Sequence, residues 1–152
     1  MTILTRADNF ARLEPEAEAR WSRFAKLNQE LYVTLLGLVV EEVRLDYCRM
    51  RMPFKTELNQ AAGVVHGGAI AGLLDSVVVP VVGGPLPQGA RFSTVDMHVQ
   101  YLSALVEEDA VAEGWAVKRG RTTVFCESEV VGATSRKLIA RSVLTYNVSP
   151  SR

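Results

Sequence analysis

Cysteine is scarce. Cys48 and Cys126 are the only two, too few to build a metal cluster between them, and at most they form one disulfide. Charge of one sign is also lacking. Seventeen basic residues balance seventeen acidic ones, for a formal net charge of zero. Dedicated binders of nucleic acid or acidic membranes carry a clear basic excess, so neither partner is expected. A zero balance also weakens repulsion between copies and leaves self-association open. No apolar run is long enough to cross a bilayer. The longest, Ala69–Gly84, falls short of the roughly 20 residues needed, and Asp75 and Pro80 interrupt it. The first residues, Met1 to Asp8, lack the basic start and apolar stretch of a signal peptide. No triad motif, P-loop or dinucleotide fingerprint occurs, which disfavours a serine hydrolase or nucleotide enzyme. The expectation is a cytoplasmic protein with reduced thiols, no metal and no cofactor.

What is present is ordinary globular material. The 152 residues fit one domain, on the usual span of roughly 100–200 residues. Apolar residues at 48% and charged residues at 22% argue against disorder. Glu14–Leu36 reads as helix: Leu13, Ala17, Trp21, Phe24, Leu27, Leu31 and Leu35 recur at spacings of three or four, with a break near Asn28. From Leu38 to Met52 the alternation is that of a strand. The run Ala69–Pro80 reads as a buried helix, because small residues accompany its valines. The C-terminal half reads as four strands, over Arg91–Ser103, Ala110–Lys118, Thr122–Val131 and Lys137–Val148, with a tight hairpin at Arg119-Gly120-Arg121. The order helix, strand, long buried helix, four strands predicts an α+β layer arrangement, one amphipathic sheet wrapped around a central helix of about Gly67–Val82. Residues 1–36 form an N-terminal helical extension, residues 38–148 the core, and 1–152 a single domain.

Two features point to chemistry. Asp75 lies inside the most apolar segment, where an ionised carboxylate without partners costs several kcal/mol or more. It is either a base or nucleophile facing a cleft, or a structural carboxylate bonded to backbone or to Ser76. His66-Gly67-Gly68 opens the same helix. Helix N-termini leave N–H groups free and partly positive, and glycine lets a ligand oxygen approach the backbone. Such an N–H polarises a carbonyl and stabilises an oxyanion; otherwise the glycines serve helix entry and packing. His66 and Asp75 are nine residues apart, roughly 13 Å along the axis and on opposite sides. They hold one small reacting group only if they come from two copies of the chain; otherwise only one is catalytic.

The constellation Asn59-x₆-His66-Gly67-Gly68-x₆-Asp75-Ser76 resembles the signature of hotdog-fold acyl-CoA thioesterases of the phenylacetic-acid-degradation type. Ser93–Leu102 resembles the following strand of that family, and Arg119-Gly120-Arg121 its basic hairpin; the likeness covers roughly Leu38 to Val148. The resemblance implies thioester hydrolysis of an acyl-CoA by a homodimer or homotetramer with active sites at the interface. It implies Asp75 as helix acid, the Gly67 N–H beside His66 as carbonyl donor, Asn59 as positioning amide and Thr94 as the hydroxyl that orients water. Asn59, His66 and Gly67 would then belong to one chain and Asp75 and Thr94 to the other. Gly68 and Ser76 complete the substrate surface, and Arg119, Arg121, Arg136 and Lys137 are candidates for the phosphates of coenzyme A. Two alternatives stand beside this reading. One is a non-catalytic acyl-CoA-binding or regulatory hotdog protein, the other a hotdog enoyl-CoA hydratase or dehydratase. His98, Cys48 and Cys126 read as interface or packing residues rather than catalysts.

Overall fold

In the computed structural model, residues 6–26 and 28–149 are described. Along the chain run α1 (Pro15–Trp21), α2 (Tyr32–Leu35), β1 (Val39–Arg44), β2 (Tyr47–Met52), α3 (Gly67–Gly83), β3 (Arg91–Tyr101), β4 (Ala110–Arg119), β5 (Thr123–Gly132) and β6 (Leu138–Ser149). Short 3-10 turns lie at Arg6–Asn9 and Thr56–Leu58. The strands form one antiparallel sheet in the order β1-β2-β4-β5-β6-β3. Its inner face buries Val124, Cys126 and Val130 of β5 and Ala140, Leu144 and Tyr146 of β6, while Phe125 and Val143 face out. That is the period-two alternation expected of a half-buried sheet.

The sheet wraps α3. Leu73, Leu74, Val77, Val78, Val81 and Val82 are fully buried, as a helix apolar on nearly all sides requires. Ser128 Oγ donates to the Leu74 carbonyl at 3.1 Å and ties β5 to the helix. Pro80 does not end α3, which continues to Gly83. Both cysteines are free and buried. No helix among the described residues is long and apolar enough to cross a membrane.

Three expectations need correction. The stretch Leu38–Met52 is two strands, not one. The chain reverses at Leu45–Asp46, with Asp46 in the left-handed region at φ 62°. The alternation runs in phase through this turn, and no Gly or Pro marks it. Second, Glu14–Leu36 divides around Asn28 as expected, but far less of it is helix: α1 stops at Trp21 and α2 is a separate four-residue turn. Leu31 and Leu35, expected on the buried stripe, are exposed, and Leu27 lies outside the described residues. The segment instead runs along α3: Trp21 packs near its C-terminal end and Tyr32 near its N-terminal end. Third, the sequence alternation of β3, which puts Thr94 on one face with Asp96, His98 and Gln100 and Val95 on the other with Met97, Val99 and Tyr101, is broken by a bulge between Thr94 and Asp96. An extra residue in one strand switches which face the following side chains occupy. Thr94 therefore faces α3 with Met97, while Val95 is 62% exposed.

Candidate functional site

α3 carries one charged residue, Asp75, midway along its length. Its carboxylate is half-buried and met by two hydroxyl donors on Oδ1. Thr94 Oγ1 donates at 2.9 Å and the Tyr146 phenol at 2.7 Å. Thr94 and Tyr146 are direct cross-strand partners on β3 and β6, so the register of one strand pair aims both groups. The Tyr146 phenol also lies 3.2 Å from the Asp75 carbonyl. The structural alternative of an Asp75–Ser76 bond is not what forms. Ser76 is 7% exposed and sits in the core, which corrects its expected place on the substrate surface.

At the N-terminus of α3, the loop after Asn59 folds back. Asn59 bridges Val65, and the His66 N–H donates to the Leu58 carbonyl at 2.8 Å. Asn59 and His66 thus become neighbours, and with Tyr32, Leu35, Leu36, Lys55, Leu58 and Gly68 they line one cleft. Asn59 Oδ1 is buried without a hydrogen-bond partner among the described residues. His66 is the N-cap: its Nδ1 accepts the Gly68 N–H at 2.7 Å. An accepting Nδ1 leaves the neutral ring's proton on Nε2. A Cβ at residue 68 would lie 2.9 Å from that Nδ1, so glycine is what lets the ring close on the backbone. Gly68 lines the cleft, and its N–H is engaged by His66. The Gly67 N–H, first in the helix, has no intrahelical partner by position. The Gly67 carbonyl accepts from the Tyr101 phenol at 2.8 Å.

The two groups do not meet in one chain. Continuous helix separates Gly67 from Asp75, roughly 12 Å at 1.5 Å per residue.

The basic residues separate in the same way. Arg119 donates to the Val81 and Val82 carbonyls at 2.7 and 3.2 Å and pairs with Asp46 at 2.7 Å. It caps the C-terminal end of α3, where unpaired carbonyls attract a cation, and is corrected from phosphate ligand to structural group. Exposed Arg121 is in the same hairpin. Exposed Arg136 and Lys137 occupy the β5–β6 turn at the sheet's other end, beside Glu108. Registers Ala110↔Gly132 and Arg119↔Val124 put nine strand positions between the two turns, roughly 30 Å, so the four do not form one patch in a chain. Tyr146, Tyr101 and Tyr32 were not singled out by sequence reasoning. Each reads there as an ordinary alternating or stripe residue; only the structure shows their hydroxyls at the helix.

A single long helix enclosed by an antiparallel sheet, with a carboxylate on the helix and a free N–H at its start, defines a protein of the hotdog fold. Residues 62–139 match the sequence model of the Thioesterase superfamily, and the chain belongs to that family. Among curated relatives, mouse acyl-coenzyme A thioesterase 13 is 30% identical over 110 residues, covering 72% of this chain and 74% of that protein. Its human counterpart is 32% identical over 95 residues, 62% of this chain and 66% of that protein. Among solved structures, a thioesterase family protein from Silicibacter pomeroyi aligns with a TM-score of 0.79 at 21% identity, over 88% of this chain and 99% of that one. The Escherichia coli PaaI protein from the phenylacetic acid degradation operon aligns at 0.77 and 15% identity, over 88% and 95%. At these identities the structural likeness speaks for the fold.

Proposed function

We propose that the protein hydrolyses acyl-coenzyme A thioesters at sites shared between two copies of the chain. The observation that carries this reading is the separation of two complementary half-sites on one helix: Asp75 with its hydroxyl donors, and the Gly67 N–H with His66 and Asn59. One supplies a base or nucleophile; the other supplies donors for a carbonyl oxygen.

The edges of the sheet suggest how copies meet. β1, at one edge, is six residues long and laced with ion pairs, Arg44–Glu42 and Arg49–Glu41 among them. β3, at the other, is eleven residues long with its outer side unpaired. A long open edge is a template for another strand. Antiparallel two-fold pairing centred on Met97–His98 sets Thr94 of one copy opposite Tyr101 of the other. Thr94 touches Asp75 and Tyr101 touches Gly67, so this seam brings the half-sites together.

In the reaction, the Gly67 N–H and the helix dipole polarise the thioester carbonyl, with His66 Nε2–H nearby. In one route Asp75 takes a proton from water as the water oxygen bonds the carbonyl carbon; the C–S bond then breaks and coenzyme A leaves as a thiolate, which takes up that proton. In the other an Asp75 oxygen bonds the carbon, the C–S bond breaks to release the thiolate and leave a mixed anhydride, and water then opens the anhydride, freeing Asp75 and giving a proton to the thiolate. Asn59 and Thr94 position the acyl group and the water. After a single turnover in ¹⁸O-water, label in Asp75 would mark attack by the carboxylate with water opening the anhydride at Asp75. The reading is tested by thiol release from an acyl-CoA panel, with Asp75→Asn and Asp75→Ala beside wild type. Loss of about 10²-fold or more is expected. Undiminished turnover in both variants would refute the role of Asp75, and binding without turnover by wild type would refute hydrolysis.

A further inference from the structure

Asp75 has a second donor that no part of the proposed reaction requires for contact with substrate. Tyr146 sits on β6, 2% exposed, behind the helix. Its ring packs against Phe92 at 6.2 Å between centroids, and Phe92 packs in turn against Trp21 at 6.4 Å. The phenol is therefore held from behind, and its one proton is directed to Asp75 Oδ1 at 2.7 Å. Thr94 donates to the same oxygen. With both donors on Oδ1, Oδ2 has no bond among the described residues.

We infer that Tyr146 is a positioning residue for the hydrolysis, which holds Asp75 turned so that Oδ2 is the oxygen that meets water or the thioester carbon. This rests on the reaction proposed above and adds a residue that acts through Asp75 from inside the core. Hydrogen bonds to a charged partner are the stronger kind, so two donors on one carboxylate oxygen fix the orientation of the group. The donor stays protonated over the working range: burial first, and then the Asp75 charge, push the Tyr146 phenol upward.

The surroundings contain little else that titrates. β5 brings Cys126 toward Tyr146, its thiol pushed up to about 12 by burial and so neutral. β3 offers Thr94; Asp96, paired with Thr145, lies past the bulge on the other face of the sheet. β2 and β4 meet α3 through Cys48, Met50, Met52, Ala110 and Ala112, with the Cys48 thiol also raised by burial. Among the described residues, Tyr146 is thus the titratable group bonded to Asp75, and it bonds as a neutral donor.

The test is Tyr146→Phe, which removes one oxygen and keeps the ring. In full-length protein, kcat for an acyl-CoA should fall about tenfold with KM nearly constant. The Asp75 carboxyl ¹³C resonance, recorded at neutral pH without substrate, should move, because one of the two donors on Oδ1 is gone. Should the Phe variant fold poorly, 3-fluorotyrosine at position 146, which keeps the ring and changes the strength of the donor, should move the same resonance. A wild type that releases thiol, paired with a variant whose kcat and Asp75 resonance are unmoved, overturns the inference. A fall in kcat with the Asp75 resonance unmoved also overturns it, because that is what a packing defect would produce. A wild type that releases no thiol refutes the reaction itself, and the substrate-free resonance still reports whether Tyr146 controls Asp75.

Discussion

The two ends of α3 differ in what completes them. At the C-terminal end, Arg119 donates to the Val81 and Val82 carbonyls and pairs with Asp46, and Trp21 packs over Gly83. At the N-terminal end, His66 engages Gly68 but the Gly67 N–H lies outside the helix ladder, and its neighbours His66 and Gly68 line a cleft with Asn59 and Tyr32. Helix ends carry unpaired groups of opposite sign. Here one end is satisfied by the chain's own residues and the other is open. The same local physics therefore serves stability at one end and leaves a free donor at the other. A basic residue near a helix end is not by itself evidence for an anionic ligand.

The largest effect should come from closing the open end chemically. Gly67→Pro removes the N–H at the first helical position, where proline is accepted. His66 already has the extended backbone, φ −61° and ψ 134°, that a residue before proline needs. A Cβ at residue 67 would lie 3.2 Å from the Tyr101 ring, which must shift by a few tenths of an ångström. Turnover should fall by about 10²- to 10³-fold, far more than Gly67→Ala, which adds the same Cβ and keeps the N–H. Retained activity would remove Gly67 from the reaction.

At the satisfied end the effects should be on stability alone. A Cβ at Gly83 would overlap the Trp21 ring, and Gly83→Ala should destabilise by about 1–3 kcal/mol in urea unfolding. Arg119→Ala, which strips donors from the helix carbonyls and leaves Asp46 unpaired, should cost about 1–2 kcal/mol and leave KM for acyl-CoA unmoved. A raised KM with stability intact would return Arg119 to the substrate. The smallest effect belongs to Arg136→Ala with Lys137→Ala, at the exposed turn. KM should rise a few-fold, about what exposed charges contribute, and the rise should fade in high salt.

Sequence patterns reveal local structure better than pairings. The β3 to β6 strands and α3 follow from alternation and from the Ala69–Gly84 run. Asp75 stands out because charge is costly among those valines. The turn at Leu45–Asp46 is hidden because Val43, Leu45 and Tyr47 keep the strand period across it. The bulge at Val95 is hidden for a similar reason: Thr94 shares the sequence phase of Asp96 and His98 but faces the helix. Arg119 meets Asp46 across 73 positions, and Tyr146 meets Asp75 across 71. Such partners are fixed by strand register, which the spacing of residues along one strand does not encode.

The shared site is tested most directly by complementation. Asp75→Ala and Asn59→Ala chains, each inactive alone, are mixed, and exchange is verified by a mass tag. A mixed dimer has one site with both defects and one with neither. Random 1:1 exchange should restore roughly a quarter of wild-type thiol release, since half the dimers are mixed and each has one intact site of two. No recovery despite demonstrated exchange would contradict a site built from Asp75 of one copy and Asn59, His66 and Gly67 of the other.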